Sequence, residues 1–403
     1  MSKTLLARNP VSASKSLFVI LFLLFNALSW YYLTWSGVRT TYLENPIILG
    51  IYDSAVIISG IIGSIFSNKI KRLRLLYIWM FLGIATSFLP SIPSDNLLVA
   101  LIFSFSLGFS FGFGMPCCLA LFAEHTFFEN RGRIGGIVFL ATNLSGPLII
   151  ALPTTNPLVS SLISSIWRAL GLIVLFLAKT SVVALEKRKP ISFALVFNNR
   201  SFLLYLIPWL MFSLIDGFET VVFGSILEPV FFDFLRVVGA IIGTVSALVG
   251  GLMSDYIGRK RVVIYGFISL GLAYAVIGIA PANIISWYFY SVIDGIAWGI
   301  FTVAFFLVLW GDLSSNRASE KYYAIGSIPF FLADLMGFLF VPLASIPANA
   351  AFSVASLFLF VAVLPLMYAP ETLPEKKIRL RRLRGYMDAA KKVKEKYTKG
   401  AEG

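Results

Sequence analysis

Charged side chains are scarce in this chain: they make up 13% of its 403 residues, where a soluble domain carries roughly a quarter. That shortage excludes an ordinary water-soluble globule. Histidine occurs once and cysteine twice. A single histidine leaves no His/Cys cluster for a metal and little for acid–base catalysis. Cys117 and Cys118 are neighbours in an apolar run, a poor geometry for a structural disulfide, and read as small packing residues. No phosphate-binding loop ending in Lys-Ser/Thr is present, which argues against a nucleotide-driven pump. Neither an enzyme nor a cofactor is expected.

What the chain has instead is long apolar runs. Hydrophobic residues make up 58% and mean hydropathy is +0.86, and a bilayer-spanning helix needs about 20 apolar residues. Grouping the runs gives twelve spans, with cores at 16–36, 48–67, 73–92, 97–123, 134–153 and 167–185, then 202–226, 234–254, 262–281, 284–311, 322–346 and 349–369. The stretch Thr154 to Ile166 either extends the sixth span or forms an outer hairpin. Lys3, Arg8 and Lys15 precede a first run too long for a signal peptide and without a small-residue cleavage site, so a retained span is expected. The fold class expected is an all-α polytopic membrane protein, twelve helices in two pseudo-symmetric six-helix bundles.

Lys and Arg set the orientation. One set of loops holds Lys69, Lys71, Arg72 and Arg74; Arg131 and Arg133; Lys187, Arg188, Lys189 and Arg200; Arg259, Lys260 and Arg261; Arg317 and Lys321. The other holds little beyond Arg39, Arg168 and Arg236. Both termini fall on the basic side, giving a multi-pass protein of the cell membrane with cytoplasmic ends. The loop 186–200 separates an N-terminal bundle, 1–185, from a C-terminal bundle, 201–369, and a basic tail, 370–403. The halves look duplicated: Gly63 and Gly251 lie 188 positions apart, as do Glu124 and Asp312.

The segment Gly251-x-x-x-Asp255-x-x-Gly258-Arg259-Lys260-Arg261 resembles the signature loop of the major facilitator superfamily, found between spans two and three and again between eight and nine. Physically, Gly251 lets two helices approach closely, Gly258 permits a sharp turn, and Asp255 can accept from a helix N-terminus or an Arg. Glu371, in Ala-Pro-Glu-Thr-Leu after the last span, resembles the Pro-Glu-Thr of sugar-porter-type members. Glu124 with Arg131 resembles the element after span four. The resemblance implies a conformational latch of Gly251, Asp255, Gly258, Arg259, Lys260, Arg261, Asp312, Arg317, Glu371, Glu124 and Arg131, opposed to simple topology-setting charge. The first copy departs from the pattern, with Ser67 in place of the Asp and Ile70 in place of the second Gly. Gly146-Pro147 matches an antiporter motif only partly, and a proline kink explains it equally well.

Ionisable residues inside spans cost at least a few kcal/mol each, about 2.5–3.5 at a helix centre, and so mark candidate sites. Asp216 and Glu219 share one face of span seven. Asp294 lies in span ten, Asp334 in span eleven and Asp53 in span two; static interhelical hydrogen bonds are the competing reading, favoured for Asp334 and Asp53. The resemblance puts spans one, four, seven and ten around a central cavity, which makes Asp216, Glu219 and Asp294 candidates for a proton or other coupling cation. Asn26 and Trp30 of span one are candidate solute contacts, whereas Tyr31, Tyr32 and Trp35 read as an interfacial belt. His125 reads as a surface-facing loop residue. With Lys179 able to snorkel from near the inner end, no deep basic pair awaits an anion, and the acids lean towards a neutral or cationic solute. The tail, with eleven Lys or Arg against five acids from Pro370 to Gly403, suits anionic lipid rather than nucleic acid.

The function expected is therefore a secondary transporter of a small solute working by alternating access as a monomer, possible coupling to protons included. The rivals are a transporter-fold sensor without net transport and, less favoured, an intramembrane lipid transferase.

Overall fold

Asparagine and proline set where the apolar runs become helices. In the computed structural model, which describes residues 10–41, 45–91, 96–150, 157–178, 191–314, 318–340, 342, 345–374 and 387, six long helices come first. They are α1 Pro10–Thr41, α2 Pro46–Lys69, α3 Arg72–Ser87, α4 Leu97–His125, α5 Arg131–Ile150 and α6 Pro157–Leu177. A short α7, Phe193–Phe197, precedes α8 Arg200–Ile226, α9 Pro229–Ile257, α10 Arg259–Ile279 and α11 Ile284–Leu313. Last come α12 Glu320–Gly326, α13 Ile328–Phe340 and α14 Ala348–Tyr368. The side chains of Asn96, Asn199 and Asn283 accept from the first backbone N–H groups of α4, α8 and α11. Pro46, Pro157 and Pro229 open α2, α6 and α9, where a missing N–H costs nothing. No strand occurs among the described residues.

Nine helices among the described residues are long and apolar enough to cross a bilayer. The other three segments of the twelve-helix arrangement are α3, only 16 residues long, α5, which begins on Arg131 and Arg133, and the broken pair α12–α13. The eleventh span is thus two pieces parted at Ser327, ahead of Pro329, which has no N–H to carry a helix through. The sixth span is displaced from its expected core. It begins at Pro157 rather than near Trp167, so residues 157–166 extend the sixth span and form no separate hairpin. Residues 179–190, with Lys179, Lys187, Arg188 and Lys189, lie outside the described residues, as do Arg317 and the tail beyond Pro374 apart from Met387.

The duplication is visible in packing. Gly108 and Gly112 bring α4 against α2: a Cβ on either would lie 2.2 Å from the carbonyl oxygens of Tyr52 and Val56. Gly295 and Gly299 bring α11 against α9 in the same way, 2.5 Å from those of Gly239 and Gly243. These glycine pairs, like the caps Asn96 and Asn283, are 187 positions apart, whereas Glu124 and Asp312 beyond them are 188 apart. One extra residue has therefore entered α11 between Gly299 and Asp312. The helix absorbs it in a π-helical stretch, Thr302–Val308, whose wider turn holds one more residue.

Candidate functional site

Gly258 has φ +109°, a left-handed backbone that glycine adopts without strain, and it joins α9 to α10 in a single residue. The turn folds fully buried Arg259 back against α9. Its guanidinium donates to Asp255 Oδ1 at 2.6 Å and to the Ser254 carbonyl at 2.7 Å. Its Nε donates to Asp312 Oδ2 at 3.3 Å, which also accepts from the Thr372 hydroxyl at 3.1 Å. Glu371 caps α10, accepting from the Arg259 and Lys260 N–H groups at 2.8 and 3.2 Å. Lys260 Nζ reaches the Met367 carbonyl at 2.7 Å, and Arg261 is exposed.

This cluster ties the two halves together. Asp255 accepts from the Gly132 and Arg133 N–H groups at 3.0 and 2.7 Å, so its charge sits on the favourable N-terminal dipole of α5. Arg131 of α5 donates to Asp312, and Arg259 donates to the Phe128 carbonyl. A Cβ on Gly251 would lie 2.3 Å from the Gly132 oxygen, so α5 and α9 meet backbone to backbone.

The equivalent corner of the first half is built differently. Arg72 donates to both oxygens of Glu124, at 3.0 and 2.9 Å, and pairs across the halves with Glu320 at 2.5 Å. Ser67, 188 positions before Asp255, donates only to the Ser64 carbonyl at 2.8 Å. Glu320 itself lies 188 positions after Gly132. The carboxylate has thus moved from the loop to the start of the opposing helix. Burial raises the Glu320 carboxyl above its ordinary 4.5, with Arg72 opposing the rise. His125 is half-buried at the end of α4, its Nδ1 2.8 Å from the Leu121 carbonyl.

Between the halves lies a small chamber lined by Leu28, Tyr31, Tyr32, Phe111, Phe139, Phe306, Phe330 and Phe331. Its space, about 10 Å³, is the scale of a single water. Tyr31 and Tyr32 face this chamber, which overturns the interfacial-belt expectation for both. Asn26 and Trp30 lie on the other face of α1, fully buried within the first half. Asn26 Nδ2 donates to the Trp167 carbonyl at 2.6 Å and the Trp30 indole to Ser87 at 2.8 Å, so neither borders the chamber. A four-residue spacing placed them on a shared face but could not say which way that face points.

The acids of α8 and α11 gather beside the chamber. Asp216 accepts from the Trp298 indole at 3.1 Å, and Glu219 accepts from the Tyr290 hydroxyl. Glu219 lies within electrostatic reach of Asp294 and Asp216. Trp298 packs on the chamber's Phe330 at 6.2 Å between ring centres, linking acids to chamber. Arg236 pairs with Asp233 at 3.8 Å and not with this cluster. Asp53 is buried on α2 beside Tyr52. Asp334 belongs to α13, but its side chain lies outside the described residues, as does that of Pro147.

The whole arrangement resembles two solved transporters. The human organic anion transporter MFSD10 is 14% identical with a TM-score of 0.64, over 88% of this chain and 99% of its own. The proton:xylose symporter XylE, solved with 6-bromo-6-deoxy-D-glucose, is 16% identical with a TM-score of 0.64, over 89% of this chain and 97% of its own. The fold is that of the major facilitator superfamily. At these identities the likeness fixes architecture alone. No protein-family model and no curated protein sequence matches the chain.

Within this major facilitator fold, Arg168 too lies elsewhere than its sequence position suggests. A sixth span beginning at Trp167 puts Arg168 with the outer-side cations; with α6 starting at Pro157 it falls at mid-helix, fully buried. It stacks on Trp79 and Trp30, 4.3 and 5.2 Å from their ring centres, and donates to Asn26 Oδ1 at 3.2 Å. No deep basic pair is expected from the sequence; the structure places one deep arginine here. A lone Arg amid the apolar run 157–177 was the available signal.

Proposed function

We propose that the protein is a secondary transporter that moves a small organic solute through the chamber by alternating access. The observation that carries this reading is that, among the described residues, the ion pairs across the halves gather at the basic end of a collapsed aromatic chamber. Arg131–Asp312, Asp255 on the α5 N-terminus, and Arg72–Glu320 close the basic end, which the Lys/Arg bias makes cytoplasmic in the cell membrane. Rocking of residues 1–185 against 201–369 breaks these ties and opens the chamber inward. In this scheme Gly251, Asp255, Gly258, Arg259, Asp312 and Glu371 form the second-half latch. Glu124 with Arg72 and Glu320 forms a weaker first-half one.

Asp216, Glu219 and Asp294 are proposed as the proton-coupling site. Three carboxylates in one apolar region repel unless at least one is protonated. Trp298 connects them to the chamber wall, so protonation and solute occupancy share one packing contact. Coupling to protons, as in the xylose symporter, is the form proposed here. The test is flux into proteoliposomes with and without an imposed pH gradient. Gradient-driven accumulation that Asp216→Asn and Glu219→Gln each abolish supports the scheme. Ligand binding with no flux in any condition sinks it and leaves a sensor.

A further inference from the structure

Arg168 has no role in the scheme above. It is fully buried at the middle of a membrane-crossing helix, and no acid is paired with it among the described residues. Of its three guanidinium nitrogens only Nη1 has an acceptor, the Asn26 amide; Nε and Nη2 have none. An unsatisfied buried cation is expensive, because neither hydrocarbon nor an indole face supplies the oxygen acceptors its N–H groups require. Its flat faces are covered by Trp79 and Trp30, which leaves the nitrogen edge for a planar acceptor. A carboxylate, with two oxygens matching the guanidinium fork, is the group that satisfies that edge.

The edge is close to the solute path. Arg168 lies within electrostatic reach of Tyr52, and the Tyr52 ring is 5.9 Å from that of Tyr31, a chamber residue. The Tyr52 hydroxyl is 2.9 Å from the Thr34 hydroxyl, and ring packing of Tyr31 on Tyr52 and Phe111 completes this partition. We propose that Arg168 is the anion-recognition group of the transport path. It takes the carboxylate of an organic acid whose apolar or aromatic body lies among Tyr31, Phe111, Phe306 and Phe331, once Tyr31 and Tyr52 part to admit it. This rests on the chamber being the solute site and names the solute class: amphiphilic organic carboxylates. The fixed cation in one half and the protonatable acids in the other then recognise the anion and its accompanying proton separately.

The experiment uses the full chain in lipid nanodiscs and four probes of one size: benzoate, methyl benzoate, benzamide and benzylamine. Thermal stabilisation and quenching of tryptophan fluorescence are read for each, since Trp30 and Trp79 report on the Arg168 edge directly. Benzoate is expected to act at least tenfold more tightly than the three others on the wild type. Arg168→Gln is expected to lose at least tenfold for benzoate while leaving the neutral probes unchanged, and Arg168→Lys to retain part of the preference. Equal action of all four probes on the wild type overturns the proposal, as does an unaltered benzoate response in Arg168→Gln. Should Arg168→Gln fail to fold, the wild-type comparison of benzoate with methyl benzoate decides alone. Benzoate selectivity without flux would leave this inference standing and remove transport; flux of a neutral solute without selectivity would do the reverse.

Discussion

The two basic-end corners occupy equivalent places in the duplicated halves, yet one is dense and the other sparse. At the second-half corner Asp255 takes two backbone N–H groups of α5, Arg131 crosses to Asp312, and Arg259 crosses to Phe128. At the first-half corner the one ion pair across the halves among the described residues is Arg72 with Glu320, and Arg72 remains 21% exposed there. The difference teaches that both corners join helices through charge while a different helix donates the acid in each. Exchanging Ser67 for an acid on α12 keeps a carboxylate at the interface. It sacrifices the geometry in which one side chain both caps a helix and holds an arginine.

Breaking the dense corner should have the largest effect. Asp312→Ala leaves Arg131 and Arg259 buried without their shared partner, and a loss of about 3–5 kcal/mol is expected. Thermal unfolding in detergent would show it, and unchanged stability would mean the corner is ornamental. Gly258→Ala comes next. It forces a left-handed conformation costing about 1–2 kcal/mol, and its Cβ would lie 2.3 Å from Glu371 Oε2. The double variant with Glu371→Ala should recover the clash portion only.

The sparse corner carries its own reporter, because buried Cys117 lies beside Glu320 and Arg72. In a Cys118→Ser background, Glu320→Gln should raise Cys117 labelling severalfold from the basic side, with Asp255→Asn leaving that site less affected. Glu320 also gives this corner a pH dependence. Its folded-state carboxyl is raised, so the folded protein holds the proton more tightly than the unfolded chain. Stability therefore falls as pH rises from the ordinary 4.5 through the raised value. Glu320→Gln should flatten that slope in unfolding curves taken across this range, and an identical slope would assign it to other groups. The smallest effect is expected for transplantation: Ser67→Asp in the Glu320→Gln background should restore up to about 1 kcal/mol. The same change with Glu320 present should restore nothing.

Much of the fold was legible because hydrocarbon thickness and backbone hydrogen bonding leave few choices to an apolar run. The Gly251 to Arg261 loop was legible for a similar local reason: a positive φ at Gly258 and a cationic turn follow from the residues themselves. Glu320 and Arg168 were not legible as partners. Glu320 gains meaning only from Arg72, 248 positions earlier, and Arg168 only from where α6 begins. Asn26 and Tyr31 failed for another reason, since periodicity assigns residues to faces without saying what each face meets.

By itself the sequence determined the all-helical, membrane-spanning character of the chain, its basic-side bias, the internal duplication and the turn at Gly258. All of these follow from composition or from the conformational limits of one or two residues. Only the tertiary structure decided which carboxylate serves each corner, which face of α1 lines the chamber, and that a guanidinium lies buried at mid-helix with two of its nitrogens unpartnered. Each of those depends on the relative placement of helices distant in the chain, where burial and partner distance, not local propensity, fix the energy.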